Sequence, residues 1–202
     1  MMIGPFNQDI YLQRLAVSAK ELGAVNAVET GTYHGHTTKY LASVFDHVTS
    51  IEVNRRFLLK AQRGLRGTPN VKLLWGSSKT ALDTVLMGLT GRTFVFLDAH
   101  WQKYCPIGDE LQALQTHAER LDPIIMIHDF QNPHRLEFGY DEVNGGPLNW
   151  DRYGEAICAV YGGRCEAFYN DKACGSLRGV VVAGRGIESL AEEYGVGFNR
   201  FV

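Results

Sequence analysis

Residues 27–38 read Ala-Val-Glu-Thr-Gly-Thr-Tyr-His-Gly-His-Thr-Thr, an apolar run that stops at the carboxylate of Glu29 and opens into a turn bearing Gly31 and Gly35. An apolar run of this kind is a buried strand. The two glycines let the backbone turn sharply and approach a ligand where a Cβ would collide. The stretch from Thr37 to Phe45 then begins with hydroxyl residues suited to a helix N-terminus, whose unpaired N–H groups would face the same crevice. The segment therefore predicts strand, ligand-binding turn and helix in succession, with room for a nucleotide-like ligand.

Working outward, Ile10, Leu12, Leu15, Ala16 and Leu22 recur at helical spacing before Gly23, so residues 1–23 are expected to form a leading helix. Apolar strand candidates follow at Val25–Glu29, His47–Ile51, Val71–Leu74, Phe94–Leu97 and Ile124–Ile127. Between them lie helix candidates at Thr37–Phe45, Arg55–Leu65, Lys79–Leu89 and Gly108–Leu121. Strict alternation of this kind predicts an α/β Rossmann-like fold, with a mostly parallel sheet and helices on both faces. Residues 131–149 are polar and aperiodic and are expected to form a substrate loop at the carboxyl edge of the sheet. A helix near Asp151–Tyr161, a strand near Cys165–Tyr169 and an apolar run at Gly179–Ala183 then predict a C-terminal antiparallel hairpin.

The 202 residues suit one domain, 1–202, and show no internal repeat or interdomain linker. No apolar run approaches the roughly 18 residues of a membrane helix, so no membrane is expected as a partner. A formal charge of -2 gives no electrostatic footprint for a phosphate backbone, and nucleic acid is not expected either. Cys105, Cys158, Cys165 and Cys174 are too few and too irregularly spaced for a disulfide scaffold or a paired zinc motif. Reduced thiols, and a start without a secretory pattern, make the cytoplasm the expected compartment. If the chain associates, a homodimer is the expected form.

In an open parallel sheet, ligands sit outside the carboxyl ends of the strands. Those ends carry Glu29, Glu52, Gly76-Ser77-Ser78, Asp98-Ala99-His100 and His128-Asp129, while the strand interiors are apolar. Glu52 stands roughly twenty residues beyond the glycine turn, where a carboxylate can accept hydrogen bonds from both hydroxyls of a ribose. The turn spacing is Gly31-x-x-x-Gly35, not the Gly-x-Gly-x-x-Gly that cradles a pyrophosphate. With Glu29 two residues before Gly31, a ligand bearing an ammonium group, a sulfonium and a ribose suits this turn better than a diphosphate.

Glu29-Thr-Gly-Thr-Tyr-His-Gly-His-Thr37, Ile51-Glu52, Gly76-Ser-Ser and Phe94-Val-Phe-Leu-Asp98 resemble, in that order, the class I S-adenosylmethionine-dependent methyltransferases. The similarity spans about Val25 to Asp129 and is strongest to the catechol and caffeoyl-CoA O-methyltransferase group and its sugar- and macrolide-tailoring relatives. The resemblance implies methyl transfer to a small-molecule acceptor, at a hydroxyl oxygen. It implies that Glu29 and the Gly31 to Gly35 turn hold the methionine part of S-adenosylmethionine and that Glu52 holds the ribose. Ser77 and Ser78 would surround the adenine, with Asp98 at the border with substrate. Two departures stand out. The acidic residue often found near the adenine is replaced by Ser77, and the Asp-Asn that follows strand five in metal-dependent members is replaced by His128-Asp129.

Adjacent parallel strand ends lie about 4.8 Å apart, so Asp98, His128 and Asp129 form a candidate set for magnesium, manganese or zinc. Acid–base chemistry is the other use of these ends: His128 or His100 would take the proton of an acceptor hydroxyl beside Asp98. The segment Trp101 to Pro106 could line the pocket with aromatic surface. An NAD- or nucleotide-sugar-binding oxidoreductase and a non-catalytic cofactor-binding module are the rival readings. The missing third glycine speaks against the first.

Overall fold

The computed structural model describes residues 4–101 and 103–200, with the backbone alone for 198–200; the first three residues of the expected leading helix and Gln102 lie outside the described residues. The leading helix is two helices, α1 (Pro5–Gln8) and α2 (Ile10–Glu21). The break falls at Asp9, an extended residue whose carboxylate accepts the Tyr11 N–H at 2.8 Å and so caps α2. Gly23, at φ +95°, ends the segment as expected.

The alternation predicted from the sequence is present: β1 (Asn26–Thr30), α3 (His36–Val44), β2 (His47–Glu52), α4 (Arg55–Gly64), β3 (Val71–Trp75), α5 (Ser78–Met87), β4 (Thr93–Leu97), α6 (Ile107–Leu121) and β5 (Ile124–His128). Residues 131–149 contain a small hairpin of β6 (Glu142–Val143) and β7 (Gly146–Pro147), which the sequence reading had as loop. Its turn is Asn144-Gly145, both at positive φ, the pair that a two-residue hairpin turn with the right twist requires. Then come α7 (Trp150–Val160), β8 (Glu166–Asn170), β9 (Val180–Gly184), α8 (Glu188–Tyr194) and β10 (Gly195–Arg200). The expected C-terminal antiparallel pair is β8 and β9, and α8 then returns the chain so that β10 pairs on the outer edge of β8.

The main sheet has the order β10-β8-β9-β5-β4-β1-β2-β3. Strands β1 to β5 are mutually parallel, and β9 runs antiparallel to β5. Alternate residues of each central strand feed two cores. Val28, Val95, Leu97, Ile125 and Ile127 pack against α5, α6 and α7. Ala27, Phe94, Phe96, Ile124 and Met126 pack against α1, α2, α3 and α8. Burial on both faces is why these strands read as continuous apolar runs. The chain runs outward from β1 to β3 and returns on the other side of β1 at β4, so the crevice opens where β1 and β4 end.

Candidate functional site

Gly31 leaves β1 at φ +88°, and its N–H bonds the carbonyl of Ile51 at 2.9 Å. A Cβ here would lie 2.4 Å from the Asp98 carbonyl oxygen, so the glycine lets the turn pack against the end of β4. Gly35, at φ +77°, precedes α3, and a Cβ there would press on Ala61 and Leu65. At both positions the space freed by the missing side chain is taken by protein rather than left for a ligand.

Two acids that look equivalent in the sequence have different surroundings. The buried Glu29 accepts hydrogen bonds from Thr38 and Ser50, both at 2.5 Å, and Ser50 is joined in turn to Thr32. Burial pushes its carboxyl up to about 8, against the lowering pull of those hydroxyls. At neutral pH it is largely protonated and fastens α3 to β1 and β2. Glu52, 5% exposed, is gripped by backbone instead: Tyr33 N–H donates to Oε2 and Asn54 N–H to Oε1, each at 2.7 Å. Each oxygen keeps a lone-pair direction for one more donor.

At the third strand end, the Ser77 hydroxyl meets the Tyr104 hydroxyl at 2.8 Å, and Lys79 lies over the Tyr104 ring. Trp101 and Tyr104 exchange backbone hydrogen bonds, and the Trp101 side chain is exposed. Ser78 is buried and belongs to a cluster of polar groups around Glu110. The cluster holds Thr30 Oγ1, Ser78 Oγ, both Glu110 carboxyl oxygens and both His100 ring nitrogens, none of which makes an aligned hydrogen bond among the described residues. Burial raises the Glu110 carboxyl to about 7, although the hydroxyls of Ser78 and Thr30 and the His100 imidazole act to lower it.

The ends of β4 and β5 carry a charge network. His128 Nδ1 stands 3.2 Å from Asp98 Oδ1 and 3.2 Å from Asp129 Oδ1. A nitrogen facing two carboxylates must carry a proton. Burial works against the charged ring, but Asp129 and Asp98 outweigh it and lift His128 to about 10. Asp129, at φ +57°, is also held by the Arg178 Nε, and Arg178 reaches Asp141 through its other arm. Despite burial, His128, His100 and Arg178 hold the Asp129 carboxyl well below the usual range. His100, with a fully buried side chain, places Nε2 3.5 Å from Asp129 Oδ2, a charge contact not aligned as a hydrogen bond.

The structure thus brings Asp98, His100, His128 and Asp129 together at the crevice and places Ser77 and Glu52 at neighbouring strand ends. The ligand atoms that converge within 4.8 Å of one another are those of Asp98, His100 and Asp129. Sequence reasoning missed Glu110 and Arg178. Glu110 carried a signal, because it falls on the stripe Ile107, Leu111, Leu114 that α6 buries. Arg178 carried none, since its partners lie 49 and 37 residues away.

No family model and no curated protein matches the chain. Solved structures do. An O-methyltransferase from Bacillus cereus, in complex with S-adenosylhomocysteine, superposes with a TM-score of 0.58 at 19% identity, covering 86% of this chain and 78% of that one. CalS10, an amino pentose methyltransferase from Micromonospora echinaspora with S-adenosylmethionine bound, gives 0.57 at 17% identity, covering 86% and 88%. The fold is that of the S-adenosylmethionine-dependent methyltransferases.

Proposed function

We propose that the chain transfers a methyl group from S-adenosylmethionine to a hydroxyl oxygen of a small-molecule acceptor. The observation that carries this reading is Glu52, fixed by one backbone donor on each oxygen and left with one acceptor site on each, the pattern that two neighbouring ribose hydroxyls satisfy. The fold shared with methyltransferases supports it. Bound S-adenosylmethionine supplies a methyl group already activated by its sulfonium, which leaves orientation and proton removal to the protein. Glu52 orients the ribose, Ser77 and Tyr104 border the base, and Asp98 stands at the edge shared with the acceptor.

Proton removal is assigned to His100, whose buried ring must be uncovered when the acceptor binds. Its ring nitrogens have no hydrogen-bond partner among the described residues, and Asp129 stands ready to stabilise the imidazolium it would become. His128 already holds a proton between two carboxylates and serves to keep Asp98 and Asp129 in place. A divalent cation on Asp98, His100 and Asp129 is the second reading, favoured by the convergence of their ligand atoms. It fits less well, because His128 and Arg178 already pair with these carboxylates and a metal would have to displace them.

Calorimetric titration with S-adenosylhomocysteine tests the reading. Saturable binding is expected, weakened about tenfold or more in Glu52→Ala. Absence of heat at millimolar ligand would remove the proposal, and heat with NAD instead would move the chain to the oxidoreductases. A His100→Gln variant that binds normally yet loses turnover on a panel of hydroxyl acceptors separates an enzyme from a binding module.

A further inference from the structure

We infer that Cys158 and Cys165 form a reactive dithiol, a site of reversible oxidation that closes to an intramolecular disulfide tying α7 to β8. Their sulfurs lie 2.9 Å apart, closer than an ordinary non-bonded contact, and about 0.9 Å of approach would bring them to bonding distance. Cys158 sits in the last full turn of α7, and Cys165 directly precedes β8. Between them, Gly162 and Gly163 both have positive φ and open space around them, so the connecting turn can absorb that approach without a clash. The Gly163 N–H holds the turn to the Cys158 carbonyl at 2.9 Å, which keeps the two thiols facing while the turn adjusts.

Access is asymmetric. Cys158 borders a surface groove between α6 and α7, lined also by Gln115, Trp150, Glu155 and Gly162. Cys165 does not border it, and burial and the neighbouring Cys158 raise its thiol well above the ordinary range. Reaction with a low-molecular-weight disulfide therefore starts at Cys158. Its thiolate attacks one sulfur of the oxidant, forming a mixed disulfide and expelling one thiolate. Cys165, deprotonated, then attacks the Cys158 sulfur and expels the second. The two cysteine protons end on the two expelled thiols, and the two electrons pass to the oxidant.

The consequence reaches the long loop. Asn149, which caps α7, donates to Gln131, and Arg152 in the first turn of α7 donates to the carbonyls of Val143 and Gly146. A disulfide at the far end of α7 fixes the helix on which residues 131–149 are anchored. Among the described residues Cys105 and Cys174 pair with no other cysteine; their hydrogen-bond contacts are with Tyr153 in one case and with Gln8, Asp9 and Ile10 in the other.

The test uses the full chain, reduced, then incubated at mildly alkaline pH with bis(2-hydroxyethyl) disulfide and quenched with N-ethylmaleimide. Peptide mapping without reductant is expected to show a Cys158–Cys165 crosslink with a loss of about 2 Da, reversed by dithiothreitol. Cys165→Ser should instead accumulate the mixed disulfide at Cys158, and Cys158→Ser should lose the fast reaction. Oxidised protein should exchange its α7 amides more slowly than reduced protein. Full alkylation of all four cysteines in the wild type, or a stable mixed disulfide on Cys158 with Cys165 still alkylated, would overturn the inference.

Discussion

Replacing Glu29 by Gln should make the protein relatively more stable as the pH rises. The wild-type carboxyl is raised to about 8 in the fold against an ordinary value of 4.5, because burial, with Asp98 and Glu52 nearby, disfavours its ion more than the hydroxyls of Ser50 and Thr38 favour it. A group whose folded pKa is raised contributes fully below its unfolded pKa and loses that contribution as the pH climbs through the folded one. The span of three and a half units corresponds to about 5 kcal/mol, of which about 3 kcal/mol is already lost at pH 7. Gln keeps one acceptor oxygen for the hydroxyls and does not titrate. His128 and Glu110 shift stability in the same direction, but both proteins carry them, so their effect cancels in the comparison. Urea unfolding of both proteins from about pH 5 to 9 should show the wild-type advantage shrinking by about 4 kcal/mol across the window. A difference that stays constant over that range would refute the reasoning, because it would mean that Glu29 ionises in the fold as it does in water.

Gly31→Ala should cost more than about 2 kcal/mol, since the added Cβ meets the Asp98 carbonyl at a positive φ. Gly67→Ala, at φ +82° with open space around it, should cost only about 1 kcal/mol, and equal losses in urea unfolding would count against the close approach. Arg178→Ala should destabilise by about 2 kcal/mol and speed amide exchange in residues 131–149; Arg178→Lys should not rescue it, because only a forked head spans Asp129 and Asp141 together. Neither EDTA nor about 1 mM magnesium or manganese should move the melting temperature, and a rise of several degrees with either metal would favour the metal-bound reading of Asp98, His100 and Asp129.

The alternating elements were legible because the central strands are buried on both sides: Ile124-Ile-Met-Ile127 can hardly be solvent-facing, and its neighbours repeat the pattern. What escaped was set by single residues or by distant pairing. Asp9 splits the leading helix by capping its second half, and Asn144-Gly145 makes a hairpin too short for any period to reveal. The strand β10 exists through pairing with β8, with a register shift between Val196 and Asn199, and its sequence lacks clean alternation. The strand-end acids were equally visible, but their directions were not. Glu29 and Glu52 both end apolar runs, and only the fold reveals that hydroxyls enclose the first while two amides hold the second at the crevice.

The network at the ends of β4 and β5 leads to a test of the donor's charge. Asp98, Asp129 and Asp141 face two cations, His128 and Arg178, so one negative charge is left over. Asp98 is the carboxylate that Arg178 does not touch, and its side chain is one-fifth exposed, so the excess charge is most available to a ligand there. If the sulfonium sits roughly 8 Å away, an effective dielectric near 20 makes the attraction about 2 kcal/mol, a factor of about thirty in affinity. Asp98→Asn should therefore weaken S-adenosylmethionine about thirtyfold while leaving S-adenosylhomocysteine, whose sulfur is neutral, within a few fold of wild type. Calorimetry on the two ligands reads the ratio directly. If both weaken alike, Asp98 serves only to hold the fold of the crevice, and the excess charge lies elsewhere.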